Sequence, residues 1–359
     1  MEPNPRFWAG RTVCVTGGTG FLGYHLVQQL LPLGAQVRVF ALRPSGAHPL
    51  LRLDRVEAEF GDVCDPAAVR RAVAGCAAVF HTAGTVAAWG PSLRRMHAVH
   101  VDGTANVLAA ADRDAAVVHT SSVVAVGAAK GGRPCTEDDP FDLDGLRVDY
   151  VQAKRAAEQV ALTSAAGGRR VVVTNPGYLV GPEDHEGSVM GRLCRRFWRG
   201  RVPLAPPGGF CLADVRDVAR GHLLAAEHGR PGRRYILGGE NRTFRGFLRE
   251  LARAAGRRPR GLGQLPGWAM FALAALGEGL ARLTGKEPYP SFQHARLNAY
   301  RWFASSDRAE GELGYRSRPL RECLADAYRW HRADGAWGLH GPRRRWLRGP
   351  AEPPVPRVA

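Results

Sequence analysis

The sequence predicts an α/β fold, a doubly wound parallel sheet followed by a smaller, mostly helical substrate lobe. Three observations predict it. Short β-branched runs alternate with amphipathic helical segments from residue 11 to residue 174, the pattern of parallel strands joined by helical crossovers. The first run leads straight into the glycine-rich stretch Thr16-Gly17-Gly18-Thr19-Gly20-Phe21-Leu22-Gly23 and then a helix. The chain, 359 residues at 45% hydrophobic, is also long enough to bury a large core and carry a second lobe.

Arg11 to Val15 reads as a buried strand, and Phe21 to Leu31 as a helix with Leu22, Leu26 and Leu30 at helical spacing and Pro32-Leu33-Gly34 as its stop. Between them, Gly17, Gly20 and Gly23 stand at G-x-x-G-x-x-G spacing. In a strand–turn–helix context the first glycine allows a tight turn, the second lets backbone approach a pyrophosphate, and the third lets helix and strand pack closely. The phosphates would lie on the helix N-terminus, with Phe21 and Leu22 beside them. Gln36 to Leu42 is the second strand, ending at Arg43. No acidic residue stands there to take a ribose 2′-hydroxyl, so Arg43, with Arg38 as a second candidate, points to the 2′-phosphate of NADP, NAD being the alternative.

Arg55 to Phe60 is a third strand running into Gly61-Asp62-Val63. Asp62 reads either as an acceptor for the adenine amino group or as the cap of a helix over residues 66–73. Ala77 to Thr82 is a fourth strand, and Thr82-Ala83-Gly84 would lie along the cofactor. His81, inside that strand, reads as a packed residue. Met96 to Ala111 is a helix, Ala115 to Thr120 a fifth strand leading to Ser121-Ser122, and Arg170 to Thr174 a sixth. Alternation of this length is the Rossmann pattern.

A second cluster opens the helix that runs from Tyr150 to about Ala165. Tyr150 and Lys154, four apart, share one helix face. A phenol near its ordinary pKa of ~10 is a poor base at neutral pH, and an adjacent ammonium favours its ionised form. Lowered toward working pH, it can pass a proton to or from a carbinol oxygen.

These motifs, with V-F-H-T-A-G at 79–84, D-G-T-A-N-V at 102–107, H-T-S-S at 119–122, N-P-G-Y-L-V-G-P at 175–182 and D-V-R-D-V-A at 214–219, resemble the extended short-chain dehydrogenase/reductase superfamily of the NAD-dependent epimerase/dehydratase type. Within it the chain is most similar to dihydroflavonol-reductase-like and 3β-hydroxysteroid-dehydrogenase-like members. The resemblance spans roughly residues 10–331. It implies that Tyr150 is the acid/base, that Lys154 holds the nicotinamide ribose, and that Ser122, with Ser121 as the alternative, polarises the substrate oxygen. It also places Pro176 past the nicotinamide. Three positions depart from the family pattern: His100 for Asn, Ala153 for Ser, and Gly84 for a second Ala.

The reading is therefore an NAD(P)-dependent oxidoreductase interconverting a secondary alcohol and a ketone on a small, fairly apolar substrate. A sugar-nucleotide epimerase is the alternative, opposed by the missing acidic residue after the second strand and by the missing arginine ahead of Asp214. A dehydratase is opposed by Val123-Val124 where an Asp-Glu pair would stand. A non-catalytic dinucleotide sensor would have no need of Ser122, Tyr150 and Lys154.

Residues 8–182 read as the dinucleotide-binding domain, with 209–238 returning to it, and 183–335 as the substrate lobe. In that lobe, 201–209 reads as a Pro/Gly-rich loop and Trp268 to Leu283 as an apolar helix. This helix is taken as core or pocket wall in preference to an interfacial anchor. Residues 336–359 read as a basic, Pro-rich, disordered tail. Net charge is +17, from 50 basic and 33 acidic residues spread along the chain, which permits a nucleic-acid partner without arguing for one. The expected partners are a small-molecule substrate and a second copy in a homodimer, with no metal and no membrane span; peripheral contact through 268–283 stays open. Seven cysteines without C-x-x-C spacing and no apolar leader at the N-terminus suggest a reducing, cytoplasmic setting.

Overall fold

In a computed structural model of the chain, residues 1–44, 48–202, 204–258 and 262–333 are described. A short helix α1 (Pro5–Trp8) leads into β1 (Thr12–Thr16), α2 (Phe21–Leu30), β2 (Gln36–Ala41), β3 (Val56–Phe60), α3 (Pro66–Val73), β4 (Ala78–His81), α4 (Ser92–Ala110), β5 (Ala116–Thr120), α5 (Val123–Val126), α6 (Asp149–Ala166) and β6 (Val171–Pro176). The second half runs through β7 (Tyr178–Val180), α7 (Val189–Trp198), β8 (Leu204–Ala205), β9 (Gly209–Asp214), α8 (Val215–His228), β10 (Arg234–Leu237), β11 (Glu240–Thr243) and α9 (Phe244–Ala254). It closes with β12 (Gly263–Gln264), α10 (Gly267–Thr284), α11 (Phe292–Ala299), β13 (Arg301–Trp302), α12 (Asp307–Leu313) and α13 (Leu320–Ala333). The tail read from 336–359 lies outside the described residues.

The main sheet is ordered β3-β2-β1-β4-β5-β6-β10, and every neighbouring pair is parallel. From β1 the chain steps outward to β2 and β3, then crosses back through α3 to β4 on the other side. That reversal opens a crevice at the C-terminal ends of β1 and β4, where ligands bind in open α/β sheets. The central strands are covered on both faces, so they read as unbroken apolar runs. Val13 and Val15 of β1 pack with Leu26 and Leu30 of α2 and Leu223 of α8. Cys14 between them faces the opposite layer, with Val69 and Val73 of α3 and Val107 and Leu108 of α4.

A smaller sheet is built around β9, whose six residues are all buried. It pairs antiparallel with β11 and parallel with β7 and β13. Helices α7, α9 and α13 cover it through Phe197, Trp198, Phe247, Leu251 and Leu324. The segment 201–209, read as a loop, contains the two-residue β8, which pairs with β12. Asp214 caps α8 and, with Asp217, pairs with Arg216, Arg220 and Arg318. The D-V-R-D-V-A motif thus ties α8 to the chain entering α13.

The reading of residues 268–283 as a core helix needs correction. Only Met270, Ala274 and Ala281 of α10 are buried, and its leucines face water. The side turned to α11 carries Met270, Phe271 and Ala274, packed with Phe292 and Ala295, and the leucines fall on the opposite side.

Candidate active site

The turn after β1 is shaped by backbone. Gly17 has φ +67°, and a Cβ there would lie 2.8 Å from the Cα and N of Ala83. At Gly23 a Cβ would lie 2.3 Å from the Gly17 carbonyl oxygen, so α2 can meet the turn only through glycine. Gly20 caps α2 without a side chain. A Cβ there would meet only the Gly17 oxygen, at 3.1 Å. The N-terminus of a ten-residue helix is thereby left open toward the crevice, a cradle that fits a pyrophosphate.

The end of β4 is tied to this turn. The Thr82 hydroxyl donates to the Thr16 carbonyl at 2.6 Å, and the Ala83 amide donates to the Thr16 hydroxyl at 3.2 Å. Asp62 accepts from the Cys64 amide at 2.8 Å and pairs with Arg95. Burial raises its carboxyl pKa, but the Cys64 amide and Arg95 outweigh that and hold it below the usual range. The cap of α3 is Asp65, which accepts from the Ala67 amide, so Asp62 does not play that part. Val63 is held by the D-G-T-A-N-V motif. The Asn106 side chain donates to its carbonyl at 2.9 Å, and a Cβ on Gly103 would lie 2.8 Å from its Cγ2.

At the end of β2, Arg43 is exposed and its guanidinium lies 4.2 Å above the centre of the Phe60 ring. Arg38 is withdrawn as a candidate. It is bound to Glu57 and to the carbonyls of Ala72 and Ala74, on the side of the sheet covered by α3.

Tyr150 and Lys154 lie in the first turns of α6, and Ser122 caps α5 by accepting from the Val124 amide. The Ser122 hydroxyl lies near enough to the Tyr150 phenol to favour its ionised form. The expected depression of the phenol is not found: burial pushes Tyr150 up to about 12, against the effect of Ser122. The Lys154 ammonium is buried and donates to the Thr120 carbonyl at 2.9 Å. Burial brings it down to about 8, opposed by Glu158 one turn along. Glu158 is itself fully buried between Arg155, Arg234 and the Asn175 amide, which also donates to the Ser122 carbonyl. Asn175 and Glu158, one residue before Pro176 and one turn after Lys154, were not singled out as positioning groups. The N-P-G-Y motif was the available signal. Ser121 is buried with its hydroxyl unpartnered among the described residues, which leaves Ser122 as the serine beside the phenol.

Three histidines crowd this region, held in the neutral form by burial. His81 lies between the hydroxyls of Thr16 and Thr104, 2.8 and 3.1 Å away, and burial, with the Lys154 charge, pushes it down to about 3. His119 is held well below its usual pKa by burial and by its neighbour His81. His100 faces the Tyr150 ring at 5.9 Å and meets the Thr85 carbonyl at 2.8 Å. A Cβ on Gly84 would lie 2.7 Å from its Cε1. The departures at 84 and 100 are therefore one change: the imidazole fills the space that an alanine methyl would take.

Tyr150 packs in one apolar cluster with Phe141, Leu143, Leu146, Tyr178 and Tyr300. Two open clefts of about 500 and 610 Å³ flank α10 and α11, sharing Arg296. Phe271 and Glu278 of α10 line them along with loop residues near 88–93 and 142–147, and no described residue of segment 183–212 lines either.

A doubly wound parallel sheet, a phosphate turn closed by backbone, and a phenol–ammonium pair at the strand ends define a dinucleotide-dependent oxidoreductase. The profile of the NAD dependent epimerase/dehydratase family matches residues 13–238, and the chain belongs to that family. It is an NAD(P)-dependent oxidoreductase of the extended short-chain type. A Synechocystis sp. protein named for dihydroflavonol 4-reductase is 34% identical over 93% of this chain and 98% of its own length. Sterol demethylase protein B of Methylococcus capsulatus is 34% identical over 90% of this chain and 99% of its own. The crystal structure of gox2253 superposes with a TM-score of 0.78 at 32% identity, covering 91% of this chain and 99% of that one.

Proposed function

We infer that the protein is an NADP-dependent reductase of a ketone on a small apolar substrate, acting through Ser122, Tyr150 and Lys154. The observation that carries this reading is the state of Tyr150. Its phenol is protonated at neutral pH and stands beside Ser122, which offsets part of the upward push of burial, so it is placed to give a proton to a carbonyl oxygen. When bound, the nicotinamide supplies the hydride. Ser122 orients the substrate oxygen toward the phenol. Lys154, fixed by the Thr120 carbonyl, holds the ribose and favours the phenolate left after transfer. Gly17, Gly20 and Gly23 make room for the pyrophosphate, Asp62 and Val63 flank the adenine, and Thr82, Ala83 and Pro176 line the cofactor's path. Arg43, exposed and with no acidic contact among the described residues, takes the 2′-phosphate. The apolar wall around Tyr150 supports an apolar substrate, in keeping with the sterol in the name of the Methylococcus relative. All seven cysteines are free thiols, which fits a cytoplasmic setting.

One observation favours the sugar-nucleotide reading: Arg296 borders both clefts, where a guanidinium can meet a diphosphate. Mixing the purified protein with NADPH and, separately, NADH against panels of cyclic ketones, alkyl ketones and nucleotide sugars separates the two. NADPH oxidation with ketones is expected. Interconversion of nucleotide sugars with no net cofactor turnover would overturn the reductase reading.

A further inference from the structure

Helix α10 carries its bulky residues on the side turned away from the protein. At about 100° per residue, Trp268, Ala272, Leu283, Leu276, Leu280 and Leu273 fall within an arc of roughly 140°. That arc holds no charge. Trp268 is 77% exposed, Leu276 72%, Leu280 61% and Leu283 85%. Among the described residues the helix packs chiefly against α11. Its one acidic residue, Glu278, is turned inward, accepting from the Phe292 amide at 2.7 Å. Arg282 and Lys286 are exposed at its C-terminal end, with Glu287 beside them. No described helix is long and apolar enough to cross a membrane.

We propose that α10 is a docking helix that seats the protein on the surface of an anionic lipid bilayer. An apolar face with an aromatic residue at one end and cations at the other suits the headgroup–acyl boundary, where the leucines enter the acyl region and Arg282 and Lys286 meet lipid phosphates. The chain's net charge of +17 adds a long-range attraction to the same surface. A second copy of this chain fits less well. The stripe presented by this 18-residue helix is about 27 Å by 10 Å, roughly 300 Å², against about 800 Å² per partner in a stable dimer. Two copies would also bring like charge together. The clefts lined by Phe271 and Glu278 lie on the flank of the same helix, so docking leaves their mouths beside the bilayer.

Co-flotation of the full chain with vesicles tests this. One set contains phosphatidylglycerol with phosphatidylcholine, the other phosphatidylcholine alone, and both are run with wild type and the double variant Leu276→Glu/Leu280→Glu. Wild type is expected to float with the anionic vesicles, and the variant's bound fraction to fall by roughly tenfold or more. Circular dichroism and light scattering on both proteins accompany the assay. If the charged variant does not fold, Leu276→Ser/Leu280→Ser replaces it. No binding by wild type, or binding unchanged in a folded variant, overturns the proposal. A wild-type dimer that the substitution dissociates would assign the face to a second copy and overturn it as well.

Discussion

The nucleotide side of the cleft is made of backbone and the substrate side of side chains. At Gly17 and Gly23 added methyls would fall 2.8 and 2.3 Å from main-chain atoms, so those positions have one solution. Around α10 and α11 the wall consists of Phe271, Phe292, Arg296 and Tyr300, whose rotamers and identities can change without moving the chain. Hence one cofactor class can be kept while substrates diverge, because the first site is set by close approach and the second by side-chain shape.

The largest expected effect lies where the two sides meet. Tyr150→Phe should lower ketone reduction by roughly 10²–10⁴-fold, the usual worth of a positioned proton donor, with cofactor affinity unchanged. A variant retaining full turnover would remove Tyr150 from the mechanism. Next comes the direct contrast. Gly23→Ala should cost about 3 kcal/mol or more of stability and abolish cofactor binding, since a Cβ would press on the Gly17 carbonyl. Phe271→Leu in the substrate-side wall should cost less than about 1.5 kcal/mol. Equal losses on thermal unfolding would erase the distinction between the two sides.

A smaller effect tests the paired departures. Gly84→Ala alone should cost about 1–3 kcal/mol through its clash with His100, and adding His100→Asn should restore most of it. Additive losses in the double-mutant cycle would show that the two positions are independent. NADP should bind at least about tenfold tighter than NAD, about 1.4 kcal/mol, and Arg43→Ala should erase that margin while sparing NAD. Equal wild-type affinities in titrations of both cofactors would refute it.

The smallest effect is in pH. Lys154 is lowered to about 8 by burial, with Glu158 opposing, so its charge is complete below that value and lost as pH rises through it. The reduction rate should fall by about half near pH 8. Lys154→Arg, which stays charged, should carry the falling limb upward. A wild-type profile flat to pH 10 would contradict the role given to the ammonium.

Much of the sheet was legible because its signals are short-range. β5 and α3 fall where the residue pattern puts them, and the pairing of Tyr150 with Lys154 follows from helical spacing alone. The misses share a cause. α5 is too short for periodicity to show, and β9, Gly-Phe-Cys-Leu-Ala-Asp, has no β-branched residue and is buried throughout against distant segments. The phenol's shift was expected downward, because one charged neighbour is visible in sequence and the desolvating wall from 141–146, 178 and 300 is not.

Residue order alone settles whatever depends on neighbours along the chain. That covers the glycine turn, the alternation of strand and helix, the family, and the phenol–ammonium pair. Packing between remote segments settles the rest. Gly84 answers to His100, sixteen residues away; Arg38 is spent on Glu57 and two carbonyls; α10 turns its leucines to water because Met270, Phe271 and Ala274 take the side against α11. A hydrophobic residue states that it leaves water at a profit only once a partner surface exists, and where that surface lies is a property of the folded chain.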